Sequence, residues 1–205
     1  MTVYRLINKL DYDEAVEFLG EAKTPIAGLR GRRAHKAFCR YALSSKDAIF
    51  IVATNKNRIV GFSITIINWK IFWKTFFLKN IPLFFEMIFV KLIQKIKIDK
   101  NRNNLKPNQE IDRFLTQKKL DRSWKDSSPL IAKVLYVAVK DSYRKQGIGK
   151  ALYDYRNQIL KKKGIKRLDS KINYRNIAPI KLAYNEGRMI IREDSGMLFT
   201  SLDFE

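Results

Sequence analysis

The stretch Arg144-Lys145-Gln146-Gly147-Ile148-Gly149 has the residue types and spacing to hold a phosphate. It follows Leu135–Val139, a short apolar run rich in β-branched residues that reads as a buried strand. After it, Ala151, Leu152 and Ile159 recur with helical spacing. A strand that turns at glycine into a helix offers unpaired backbone N–H groups. The first helical turn leaves four such donors, and the helix dipole favours negative charge beside them. Glycine at 147 and 149 lets that backbone approach an anion with no Cβ in the way.

Two familiar glycine patterns do not fit. The dinucleotide fingerprint G-x-G-x-x-G stops here after Gly149, and a Walker A loop needs G-x-x-x-x-G-K followed by Ser or Thr. What fits is R-x-x-G-x-G entered from the V-x-V strand Val137-Ala138-Val139. This resembles the acetyl-CoA-binding motif of the GNAT family of N-acetyltransferases. The resemblance implies an α/β fold with a mixed, mostly antiparallel central sheet flanked by helices and splayed at the acetyl-CoA site. It also implies acetyl-CoA as acyl donor, with no metal. Val137, Ala138 and Val139 would line the donor. Arg144, Lys145, Gln146, Gly147, Ile148, Gly149 and Lys150 would wrap its pyrophosphate.

The end of the chain extends the resemblance. The family usually shows an asparagine, then a helix bearing an alanine, then a tyrosine close before a Gly-Phe pair. Asn176 and Gly187 have the family's separation of 11, which adds Asn176 to the cofactor-binding residues. Pro179 stands where the alanine is expected, Ala183 where the tyrosine is expected, and Arg188 replaces the phenylalanine. Tyr184 comes one residue late, and a helix that starts differently at Pro179 would rotate it into the family role of proton donor to the departing thiolate.

The chemistry so implied is direct acyl transfer to an amine. The oxyanion needs backbone N–H donors near Val137 to Val139, and an ammonium acceptor must first lose a proton. Some family members place a glutamate shortly before the V-x-V run; here that neighbourhood reads Ala132-Lys133-Val134-Leu135, with no acid. Glu110, Asp112 and Asp126 are alternatives, and no spacing favours one of them.

Elements that would position these residues are legible in order. Val3–Ile7 alternates like an edge strand; Asp11–Leu19 and Arg30–Leu43 read as helices, and the resemblance implies that the region from about Arg30 to Tyr41 faces the acceptor. Ala48–Ala53 and Ile59–Ile67 read as a hairpin across Thr54–Arg58. Later come a helix to about Lys163, a strand over Arg167–Ile172, a helix over Ile177–Tyr184, and strands over Met189–Arg192 and Met197–Leu202. The reading is one acyltransferase domain, 1–205, with a helical insertion at about 68–126.

That insertion opens NWKIFWKTFFLKNIPLFFEMIFVKLIQKIK. Pro82 should bend or divide its helix. Lys70, Lys74, Lys79 and Glu86 break the apolar runs, so none reaches the roughly 20 residues of a membrane-crossing helix. Trp69, Trp73, Phe76 and Phe77 suit packing on the domain or across a homodimer. The same aromatics and lysines suit peripheral contact with an anionic membrane. Both readings are open at this point. Asp99–Gln109 reads as a loop and Glu110–Leu120 as a short helix.

Basic residues number 41 against 20 acidic, a formal charge of +21. This suits an acidic partner or a solvated lysine-rich surface. No nucleic-acid module is recognisable, so nucleic acid is not an expected partner. The single cysteine, Cys39, excludes an intrachain disulfide and fits a reducing compartment. Its one histidine neighbour, His35, lies four residues away, yet a buried inert thiol is the expectation. The opening MTVYRLINKLDYDE lacks a long apolar core, which points to the cytoplasm with peripheral membrane contact as an added option. The expected activity is acetyl transfer from acetyl-CoA to a primary amine of a small molecule or amino sugar. The alternative is a non-enzymatic module of the same fold that binds acyl-CoA, lipid or nucleic acid.

Overall fold

The computed structural model describes residues 1–22, 28, 31–98, 123–124, 128–194 and 196–204, with backbone alone for 91–98. Seven strands make one sheet: β1 (Thr2–Leu6), β2 (Ala48–Asn55), β3 (Arg58–Ile66), β4 (Ile131–Val139), β5 (Arg167–Asn173), β6 (Met189–Asp194) and β7 (Met197–Asp203). Their order is β1-β2-β3-β4-β5-β7-β6, and only the β4–β5 pair is parallel. Among the described residues six α-helices accompany them: α1 (Tyr12–Glu21), α2 (Arg32–Ser44), α3 (Trp69–Lys79), α4 (Ile81–Ile98), α5 (Ile148–Lys162) and α6 (Ile177–Asn185).

The central strands are buried on both faces, so their sequences run apolar without a break. Along β2 and β3 alternate residues serve two cores. Phe50, Val52, Phe62 and Ile64 join α1, α2 and α3; Ile49, Ile51, Ala53 and Val60 join α5. The hairpin between them turns on Lys56 and Asn57, at φ 47° and 62°. Both values are left-handed, as a two-residue turn matched to sheet twist requires.

Against the first core, α3 drives Phe72 and Phe76 to full burial. Their rings meet Phe38 at 6.0 and 6.2 Å and Tyr41 at 4.9 and 5.7 Å. The helix ends at Lys79; Asn80 leaves helical geometry and its Nδ2 donates to the Phe76 carbonyl at 2.8 Å. Pro82 is therefore the second residue of α4, inside the first turn where a missing N–H costs nothing. The expected division of the insertion occurs, two residues before the proline.

Opposite, α5 lies very close to β3. A Cβ on Gly61 would stand 3.2 Å from both the Ala138 carbonyl oxygen and Leu152 Cδ1, and 3.3 Å from Ile148 Cγ2. Glycine at 61 thus seats the first turns of α5 on the sheet. The helix and loop expected over 99–120 lie outside the described residues.

Candidate active site

β4 and β5 part after a short contact. They pair only through Ile131, Ala132 and Lys133 with Arg167, Leu168 and Asp169. Up to Lys133 the residues of β4 are buried; from Val134 to Val139 they are half-exposed. A cleft therefore opens between the two strands on one side of Lys133. On its other edge β4 stays paired with β3, but the register slips. Ile64 faces Tyr136 while Thr65 faces Val134, leaving Leu135 as an extra residue. Such a bulge bends and twists its strand, here just past the point where β4 leaves β5. Nothing in the uniform apolar run Val134–Val139 signals this residue in the sequence.

β4 runs into a short 3₁₀ turn, Asp141–Tyr143, and then the glycine loop. Lys145 and Gly147 both take left-handed backbone, at φ 60° and 78°. Gly147 caps α5 with no side-chain acceptor, so the first-turn N–H groups are left to a ligand or solvent. Ile148 is buried beneath, which fixes that turn to the core. Arg144 pairs with Asp141 at 2.7 Å, and its Nε donates to the Val139 carbonyl at 3.4 Å. Lys150 pairs with Asp154 at 2.9 Å, and Gln146 Nε2 donates to the Ser142 carbonyl at 3.1 Å. The Arg144 pair is exposed, at 66% and 86%, and exchanging Asp141 for a phosphate costs little. Val137 to Val139 and Arg144 to Lys150 thus meet at one end of the cleft.

α6 begins at the exposed Asn176, which serves as its N-cap residue without a side-chain hydrogen bond. Pro179 falls in its first turn. Ala183 is buried among Ile172, Ile180 and Ile190. Leu182 faces the loop, with its Cδ1 3.5 Å from where a Gly149 Cβ would lie. Tyr184 is 46% exposed on the outer side of the same helix.

Arg188, in the place of the family phenylalanine, is buried with Arg156 of α5 around one carboxylate. Glu186 accepts from Arg156 Nη2 at 3.1 Å and from Arg188 Nε at 2.7 Å. Tyr153 covers both guanidinium groups, 4.3 and 5.9 Å from its ring centre. Burial, reinforced by Arg188, lowers the Arg156 pKa to about 10. Sequence reading missed this cluster, since charged residues on a helix ordinarily face water.

Lys133, in the stretch before the V-x-V run, is 2% exposed. It donates to the Trp124 carbonyl and lies over the Trp124 ring at 4.8 Å. Glu110, Asp112 and Asp126 lie outside the described residues. Arg32, Arg33, Lys36 and Arg40 line an open depression on the outer face of α2.

Cys39 is fully buried, and desolvation pushes its thiol up from 9.0 to about 12. It is no nucleophile near neutrality. A raised pKa in the folded state means stability present below pH 9 and lost as pH climbs toward 12. Cys39→Ala should flatten the loss of stability across that window, as read by denaturation at a series of pH values. An unchanged slope would place the alkaline loss elsewhere, with Tyr136, also raised to about 12 by burial, the first group to examine.

With this geometry in hand, the comparisons are specific. The family model described as Acetyltransferase (GNAT) family matches residues 114–184, from before β4 through the cleft, glycine loop and α6. The matched segment carries the cleft and the glycine loop, and the fold is the one found in solved acetyltransferases described as GNAT. Among solved structures, yncA from Salmonella typhimurium with its cofactor acetyl-CoA aligns at a TM-score of 0.61 and 12% identity, covering 100% of this chain and 95% of that one. An N-acetyltransferase from Staphylococcus aureus aligns at 0.59 and 13%, covering 100% and 99%. The paia N-acetyltransferase from Thermoplasma acidophilum, in complex with coenzyme A, aligns at 0.55 and 15%, again covering 100% and 99%. At these identities the likeness is one of fold. No curated protein matches the chain.

Proposed function

We propose that this chain is an acetyl-CoA-dependent N-acetyltransferase that acetylates a primary amine of a small molecule or amino sugar. The observation that carries the reading is the cleft between β4 and β5 opening beside the glycine-capped start of α5. The first-turn N–H groups of α5 and the left-handed Gly147 suit a pyrophosphate, with Arg144, Lys145 and Lys150 adding charge. The half-exposed edge of β4 suits an extended amide-bearing arm. Acetyl-CoA supplies an activated acyl carbon.

The chain's own part is then positioning and charge. Backbone N–H groups near Val137 to Val139 meet the negative charge that gathers on the carbonyl oxygen as the amine attacks. Holding donor and acceptor in line supplies much of the rate. As the new C–N bond forms and the C–S bond breaks, the Tyr184 phenol gives its proton to the leaving sulfur and is reprotonated, through solvent, by the proton that the amine nitrogen loses. The cations of α2 that line the open depression complement a phosphate on the acceptor, as a nucleotide-linked amino sugar would carry.

Turnover of acetyl-CoA across a panel of amines and amino sugars, followed as released thiol, tests the proposal. CoA binding with no transfer to any amine would favour the binding module. Tyr184→Phe keeps the ring and removes the proton, so kcat should fall by about 10²-fold to 10⁴-fold with KM unchanged. A single-turnover rate within about twofold of the parent would end the acid role and leave the transfer reading standing.

A further inference from the structure

Both broad faces of α4 are apolar, and among the described residues only one is packed on the core. Leu83 and Met87 enter the core beside Phe72 and Phe76, and Val90 packs against it. On the opposite side Ile81, Phe84, Phe85, Ile88 and Phe89 are exposed, Phe85 and Phe89 at 64% and 65%. Their spacing, i, i+3, i+4, i+7 and i+8, makes one continuous stripe. Neighbouring α3 adds Ile71 and Leu78, 55% and 64% exposed. An apolar surface of this extent on a chain so rich in lysine marks a contact with something.

Charge decides what. Lys70, Lys74 and Lys79 are exposed along α3, which holds no acidic residue. Through 81–98 the single acid is Glu86, about 100° around the helix from Phe85. The chain carries +21 in all. Two copies meeting through this face would bring like-charged surfaces together, whereas an anionic bilayer attracts the same lysines while accepting the aromatics. Among the described residues no helix is long and apolar enough to cross a membrane. The contact is thus one of helices lying in the headgroup layer.

We propose that the outer face of α3 and α4 docks this protein on anionic phospholipid membranes. The phenylalanines of α4 enter the boundary between headgroups and acyl chains, and the lysines of α3 meet lipid phosphates. Docking needs neither CoA nor turnover, so it stands or falls independently of the acetyltransferase reading.

Flotation of the full chain with vesicles of phosphatidylcholine alone, or mixed with phosphatidylglycerol, tests it. Binding should require phosphatidylglycerol, and salt at about 0.5 M should release part of it, because the Debye length shrinks to a few ångströms. Phe85→Glu with Phe89→Glu should weaken binding at least tenfold, as roughly expected when apolar insertion is lost. Both sites are exposed, so the fold should persist by circular dichroism. Lys70→Glu with Lys74→Glu leaves the apolar stripe intact and should remove most of the salt-sensitive part. Three outcomes overturn the proposal. One is no binding to anionic vesicles at low salt. Another is binding that neither variant changes. The last is a dimer in light scattering that the phenylalanine variant dissociates while vesicles bind neither protein.

Discussion

Gly147→Asp should weaken CoA binding by about 10²-fold or more, equivalent to roughly 3 kcal/mol. The backbone at 147 sits at φ 78°, a conformation that costs an L-residue about 1–2 kcal/mol, least for Asp and Asn. That strain is present with or without ligand and lowers stability; the loss of affinity comes from a carboxylate placed where a pyrophosphate must approach the α5 N–H groups. No heavy atom lies within 4 Å of a Cβ at Gly147, so the side chain is accommodated without ligand and the fold should survive. Gly149→Asp makes the sharper comparison. It stands in the first turn of α5, where an acid favours the helix dipole. Thermal stability should hold or rise while CoA affinity falls. Arg144→Ala should cost only about tenfold, since it removes one charge-assisted contact and keeps the amides. Titration calorimetry on the three variants orders them; unchanged affinity in Gly147→Asp would detach the loop from the cofactor.

Glu186→Gln should be the most destabilising single change in the described core, at about 3–5 kcal/mol. The carboxylate joins two arginines whose side chains are 0% and 2% exposed. Removing its charge leaves two buried cations side by side, held by neutral partners alone: Asn157 Oδ1 accepts from Arg156 and Ser170 Oγ from Arg188, under the Tyr153 ring. Arg156 is already strained in this sense, with Nη1 buried and unpaired. Since whole domains are stable by only about 5–15 kcal/mol, the variant should unfold at far lower denaturant concentration. Because α6 hangs on this cluster through Glu186, the loss should reach CoA binding too. Chemical denaturation measures it. A cost under about 1 kcal/mol would mean that water or Asn157, which shares Glu186 at 2.8 Å, takes up the charge.

Where a residue's type and its environment agree, the sequence was readable. The apolar runs of β2 and β3 are buried on both faces, and the polar connector between them is a two-residue turn. The glycine loop sits between strand and helix because only that arrangement satisfies both the pattern before it and the periodicity after it. Three features were hidden for physical reasons. The bulge at Leu135 depends on pairing with β3, which an unbroken apolar run does not encode. Arg156 and Arg188 read as solvent-facing because their partner lies 30 residues away for the first and across a turn for the second. In α4 both faces are apolar, so spacing alone could not say which one meets the core. Tyr184 shows the limit of motif alignment. Its place one residue late puts Ala183 in the core and leaves Tyr184 46% exposed, and kinetics assigns its chemistry.

A crystal structure with CoA tests the central claim most directly. The account predicts pyrophosphate oxygens about 2.7–3.2 Å from the backbone nitrogens of the Gly147–Lys150 turn. It predicts the pantetheine arm between Val134–Val139 of β4 and Ser170–Asn173 of β5, with the sulfur at the bulged end. CoA bound elsewhere, or a cleft closed by further pairing of β4 with β5, would contradict it.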